Sequence, residues 1–197
     1  MKFKFLLFAL LVVAYTHTGC RNVEQEQRKL ALDSLTAIRR VADSVEQITP
    51  LAGARFGSHA DEVVQAIDGF NRINDYSIND FKYDHIDPYY FDEGLMEIKI
   101  VGDVHNWSEY DSVYKTVADC IYMFSEKYGH SVEVDSTIEI GAPNDESMLM
   151  RWAKGDKNIS VRIISDEHRF LFEIDIWSEK MRMAYVESIV DRVKNPL

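Results

Sequence analysis

Cysteine is nearly absent: two in 197 residues, Cys20 and Cys120. That excludes a disulfide framework. Proline (4) and glycine (9) are scarce too, which excludes collagen-like and Pro/Gly low-complexity chains. Basic residues are outnumbered, with Lys plus Arg at 22 against Asp plus Glu at 33, a formal charge of -11 and a pI near 5.0. A chain so acidic lacks the broad positive footprint that nucleic acid requires, so no nucleic-acid partner is expected. Apolar residues make up 46% and charged residues 28%, the proportions of a globular protein.

One apolar run stands out. Met1-Lys2-Phe3-Lys4 forms a basic head, and Phe5 to Tyr15 follows as eleven uninterrupted apolar residues. As a helix this run would reach about 16 Å, half of a hydrocarbon core, too short for a stable span. A basic head, a short apolar middle and small residues before a cut site describe a secretory signal over residues 1–19. The run closes on Thr16-His17-Thr18-Gly19-Cys20. Thr18-Gly19-Cys20 resembles the lipobox of bacterial lipoproteins, although His17 stands where that pattern has an aliphatic residue. The resemblance implies that Cys20 carries diacylglycerol, becomes the mature N-terminus and is acylated there. The partner it implies is the membrane, reached through the N-terminal lipid. One chain binds a bilayer marginally, whereas two or three anchor stably. Cleavage removes Lys2 and Lys4 and takes the formal charge from -11 to -13. Arg21 follows the lipid-bearing position, where the inner-membrane retention rule of Gram-negative lipoproteins has Asp, so the resemblance favours the outer membrane.

The remainder reads as a tether with an amphipathic helix over 20–50 and a single α+β domain over 51–197. From Val23 to Ile48, Ala31, Leu35, Ile38, Ala42 and Val45 recur at steps of four and three, and Thr49-Pro50 ends the pattern. That stripe needs a partner, either the domain core or a helix of another chain. Ala54–Gly57 reads as a short strand, and Ser58 with Asp61 reads as the capping box of a helix carrying Val63, Val64, Ile67 and Phe70. Extended segments follow at Tyr76–Ile86, Pro88–Phe91 and Leu95–Val101, with a turn at Asp92-Glu93-Gly94. Ser108 to Tyr128 is the clearest helix, with Val113, Val117, Ile121, Phe124 and Tyr128 on one face and Gly129 as its stop. Cys120 lies within this pattern and reads as a buried, inert thiol. After an extended Val132–Ile140, a three-strand meander is expected at Met148–Ala153, Ile159–Ile164 and Phe170–Trp177. A closing helix, Glu179–Val193, places Val186, Ile189, Val190 and Val193 on one side. Clean alternation, as in Phe170, Phe172, Ile174 and Ile176 against Glu173 and Asp175, indicates an antiparallel sheet with one wet face. The expected fold is therefore α+β: a hairpin plus a three-strand meander, with helices packed on one face.

This order of elements, with Glu126-Lys127-Tyr128-Gly129 and Trp152 in its second half, resembles small α+β lipoproteins of Bacteroides-type bacteria. In architecture it is also similar to outer-membrane assembly lipoproteins and secreted inhibitors. The likeness implies binding or scaffolding.

Chemistry is sparse. Gly102-Asp103-Val104-His105-Asn106 resembles the Gly-Asp-x-His-Gly motif of metallophosphoesterases, but Asn106 replaces its last glycine, and the upstream Asp-x-His and later Gly-Asn-His motifs are missing. His85 with Asp87, and Asp103 with His105, each offer two ligands on one strand face, and two ligands do not make a metal site. No catalytic residue, metal or cofactor is assigned. Tyr89, Tyr90, Trp107, Tyr110, Trp152 and Trp177 are candidates for a sugar- or peptide-binding face, or else for core. Asp33-Ser34-Leu35, Asp43-Ser44-Val45, Asp111-Ser112-Val113 and Asp135-Ser136-Thr137 resemble the Asp-Ser/Thr-apolar O-glycosylation motif of Bacteroides-type exported proteins, which implies glycans on Ser34, Ser44, Ser112 and Ser136. The functional expectation is a lipid-anchored envelope lipoprotein whose non-catalytic domain binds another envelope protein or a glycan. The alternative is an envelope hydrolase with a site of scattered acids and His.

Overall fold

The structure, a computed structural model, describes residues 26–40, 42–132 and 145–194. The signal-like run, Cys20, most of the extended segment Val132–Ile140 and Ser136 lie outside the described residues. The described residues divide into two units, one ending at Val45 and the other beginning at Glu46. Helix α1 covers residues 26–40 and 42–48. In the first unit Leu35, Ile38 and Val45 of α1 are exposed, members of the stripe that the sequence pattern expects to be covered.

The second unit is α+β. Helix α2 is Ala60–Asn74 and α3 is Tyr110–Tyr128; α4 is Glu179–Lys194. The strands are β1 (Ser77–Ile78), β2 (Phe81–Phe91), β3 (Gly94–Gly102), β4 (His105–Asn106), β5 (Asp145–Lys154), β6 (Lys157–Ser165) and β7 (Arg169–Ser178). They form one antiparallel sheet in the order β1-β2-β3-β7-β6-β5, with β4 paired to β7. The β2–β3 hairpin and the β5–β6–β7 meander are joined where β3 pairs with β7, Ile98 opposite Ile176 and Ile100 opposite Ile174.

The meander follows its alternation. Ile159, Val161 and Ile163 of β6 and Phe170, Phe172, Ile174 and Ile176 of β7 are buried on one face. Helices α2 and α3 close this face with Val63, Ala66, Val117, Cys120 and Phe124. Burying each large aliphatic side chain contributes about 1.5–3 kcal/mol.

Several local expectations are corrected. The residues around Ala54 form an isolated bridge between Leu51 and Ala54 and then a turn. Ser58 is not the cap of α2; the cap position is His59, and the Ser58 hydroxyl accepts a bond from the Arg55 amide. Ser108 does not cap α3 either. Asn106 and Glu109 form a capping box around a 3-10 turn at Trp107–Glu109, and α3 starts one residue later. Strand β2 runs through Pro88, where the sequence reads two segments. Beyond Lys82, β2 is paired only with β3, so Pro88 costs no hydrogen bond to a second neighbour.

Two larger corrections concern polarity. The second sheet face is not wet: Glu97, Glu173 and Asp175 are buried. And α4 hides none of its apolar stripe. Met183, Val186, Ile189, Val190 and Val193 are all exposed. It adheres through polar and aromatic side chains instead. Arg182 Nε lies 3.8 Å from Glu97 and its guanidinium stacks over Trp177, while Tyr185 meets Phe91 edge-on. Its start is fixed by Ser178, whose hydroxyl accepts from the Met181 amide, and by Asp156, which accepts from the Lys180 amide.

Candidate ligand cleft and exposed helix face

An apolar cleft of about 370 Å³ opens in the core layer of the second unit. Small-molecule sites occupy roughly 300–1,000 Å³ and combine apolar walls with a few placed polar groups. Helices and strands from both halves of the domain converge on it, Ile78 of β1 among them. Phe70 comes from α2, Ile100 from β3, Met123 and Phe124 from α3, Ile159 from β6 and Ile176 from β7, with Leu51 and Ala52 of the preceding turn at the edge.

Its polar end is built around Lys157, the first residue of β6. This side chain is 4% exposed. Its ammonium donates to Glu46 Oε1 at 3.0 Å, to the Thr49 carbonyl at 2.8 Å and to the Tyr128 hydroxyl at 3.1 Å. All three protons are thereby used. Tyr128 also donates a short hydrogen bond to Glu46, and Lys127 Nζ lies 3.1 Å from the same oxygen. Burial acts to raise the Glu46 carboxyl, but the bonds from Tyr128, Lys157 and Lys127 outweigh it and hold it at about 2. Burial pushes the Tyr128 phenol up and the Lys157 ammonium down. Near neutral pH Glu46 is an anion and Tyr128 keeps its proton. The cluster is a clamp that joins the end of α1, the end of α3 and the start of β6.

Sequence reasoning missed this group. Lys157 follows Gly155-Asp156 and reads as a turn residue, Glu46 reads as the polar side of a helix, and nothing in their spacing signals that they meet across 111 positions.

The second sheet face carries an ionic layer. Lys99 Nζ lies 3.1 Å from Glu173 and 3.8 Å from Asp175, and Arg162 Nε lies 3.1 Å from Asp175 Oδ2. The pairing follows from the registers Lys99–Asp175, Ser160–Asp175 and Arg162–Glu173. Asp175 is fully buried, and neither of its oxygens has a well-directed hydrogen bond among the described residues. Burial, reinforced by Glu173, pushes its carboxyl up to about 7, against the pull of Arg162 and Lys99.

The residues singled out in the sequence are dispersed. Asp103 and His105 line a cavity of about 240 Å³ with Lys82, Ser112 and Phe172. His85 binds Asp84 and Asp87 on β2, whereas β4, which carries His105, pairs with β7, so the two His–Asp pairs are not strand neighbours. Among the described residues no group of three or more His, Cys, Asp or Glu could hold a metal ion. Gly102 of the phosphoesterase-like motif has a packing reason to be glycine: a Cβ there would sit 2.8 Å from the Phe172 carbonyl and 2.9 Å from the Phe81 ring. The six candidate aromatics share no single face. Trp107 and Tyr110 cluster with Phe170, and Trp152 is buried against Phe124. Trp177 is held between Arg151 and Arg182, and only Tyr89 is strongly exposed. Ser34, Ser44 and Ser112 are exposed on helices, and the Ser34 hydroxyl donates to the Leu30 carbonyl. Cys120 is buried, donates to the Ile78 carbonyl, and is pushed by burial up to about 12.

No family model matches the chain, and neither does any curated protein or solved structure.

Proposed function

We propose that the chain is a lipid-anchored protein of the cell envelope whose α+β domain binds another envelope protein, or a glycan, without catalysing a reaction. The anchoring half rests on the basic head, the eleven-residue apolar run and Thr18-Gly19-Cys20. Arg21 favours the outer membrane. The binding half rests on one observation: α4 presents Met183, Val186, Val190 and Val193, spaced three, four and three residues apart, on its exposed side. Such spacing is the signature of a helix face that meets another apolar surface. The domain core is closed by α2 and α3, and among the described residues this stripe stays exposed; its chemistry favours a protein partner over a glycan.

A photo-crosslinking amino acid at Val190, compared with one at the exposed Asp119 of α3, tests the reading in intact cells. Position 190 is expected to give one adduct of defined mass that position 119 does not. Equal labelling from both positions, or none from 190, would refute partner binding through α4.

A further inference from the structure

The cleft differs from the surface around it in charge. The chain as a whole is acidic, at -11. At the mouth of the cleft, Lys127 and Lys157 stand against the single carboxylate of Glu46, and Lys154 is near enough to add to the repulsion on Lys157. Behind these groups the wall is apolar on every side, contributed by buried Phe124, Ile100, Ile159 and Ile176. A ligand that fits must be greasy at one end and negative at the other.

The two lysines have different freedom. Lys157 is buried and its three protons are committed to Glu46, Thr49 and Tyr128. It holds the site in shape. Lys127 is about half exposed; its ammonium lies 3.1 Å from Glu46 and over the Tyr128 ring. Its long stem lets it turn toward an incoming anion without dismantling the clamp.

We propose that this cleft binds an anionic amphiphile, a medium-length acyl chain ending in a carboxylate. The tail lies against Phe70, Ile100 and Ile159, and the head sits beside Lys127. Desolvation of the tail supplies affinity in proportion to its buried area, and the rim charge selects the sign of the head. The site is separate from the partner surface, because α4 lines no part of the cleft. Failure of one reading therefore leaves the other standing.

Met123 supplies the probe. With ¹³C-methyl methionine in the full chain, and its signal assigned by Met123→Leu, decanoate, decanol and decyltrimethylammonium are titrated in turn. Decanoate is expected to shift the Met123 methyl signal saturably, at least tenfold tighter than decanol, and the cationic probe is expected to leave it in place. Lys127→Gln should bring decanoate to the affinity of decanol. Ala52→Trp, at an exposed position on the edge of the cleft, should abolish the shift for every probe while the other methionine signals keep their dispersion. No saturable shift, a shift that survives Ala52→Trp, or equal binding of decanoate and decanol to the unaltered chain would each overturn the proposal.

Discussion

Asp175 and Glu46 titrate in opposite senses, and the reason is local. Asp175 is fully buried, beside two other carboxylates, Glu173 and Glu97; burial first and those charges second disfavour its ionisation, and its carboxyl rises from the ordinary 3.8 to about 7. Between those values the folded state holds a proton that the unfolded state has released, so stability falls as pH rises through the window. Asp175→Asn removes the titration and keeps the shape. In urea melts the unaltered protein should be more stable at pH 5 than at pH 8 by on the order of 1–3 kcal/mol, and the variant should lose most of that difference. An unchanged difference would place the titration elsewhere. Glu46 is depressed from 4.5 to about 2, so its contribution is complete above 4.5 and is lost as pH falls towards 2. Because the group is only partly buried, Glu46→Gln should cost on the order of 1–2 kcal/mol at neutral pH, read as the same urea midpoint shift. The third titratable group, Cys120, is pushed up to about 12. It should resist a thiol reagent at pH 8 in the folded protein and react fully in denaturant; labelling of the native state would show that the core opens at α3.

At the scale of the element, α3 and α4 look alike in sequence and behave differently. Both carry aliphatic residues at three- and four-residue steps. Val117 of α3 is 1% exposed, whereas Val190 of α4 is 40% exposed. Val117→Asp should therefore unfold the domain, since an unpaired buried charge costs several kcal/mol. Val190→Asp should shift the unfolding midpoint by no more than about 0.5 kcal/mol. Circular dichroism melts of the two variants give the comparison, and similar losses would mean that the α4 stripe is buried after all. Periodicity thus reveals that a helix has an apolar face and says nothing of what covers it. The alternation of β6 and β7 was readable for the same reason, because residue parity fixes which side chains share a face. What parity could not show is that Glu173 and Asp175 would be buried, for their partners Lys99 and Arg162 come from other strands. The clamp of Glu46, Tyr128 and Lys157 was illegible in the same way: each residue is ordinary in its own segment, and the site exists only once β6, α3 and the end of α1 meet. The β2–β3 turn was readable from Asp92-Glu93-Gly94, and both Asp92 and Glu93 take the left-handed conformation of a two-residue hairpin.

At the scale of the whole molecule, attachment to a bilayer has few physical routes. Among the described residues no helix is long and apolar enough to cross a membrane. A formal charge of -11, or -13 after cleavage, gives the chain as a whole no attraction to anionic lipid headgroups. Under the proposed anchoring, all of the binding free energy comes from acyl chains on Cys20, at about 0.8 kcal/mol per buried methylene. This term is apolar, and salt does not screen it. Molar salt shortens the screening length to about 3 Å and strips proteins held by charge. The protein should therefore stay in the membrane fraction through a molar-salt wash and leave it when Cys20 is replaced by alanine, because the acidic chain has no other direct hold on the bilayer. Fractionation of cells expressing each form, followed by intact-mass measurement of the retained material, checks both halves. Release by salt alone would point to a protein partner as the tether, and retention of the Cys20→Ala form would remove the lipid from the account.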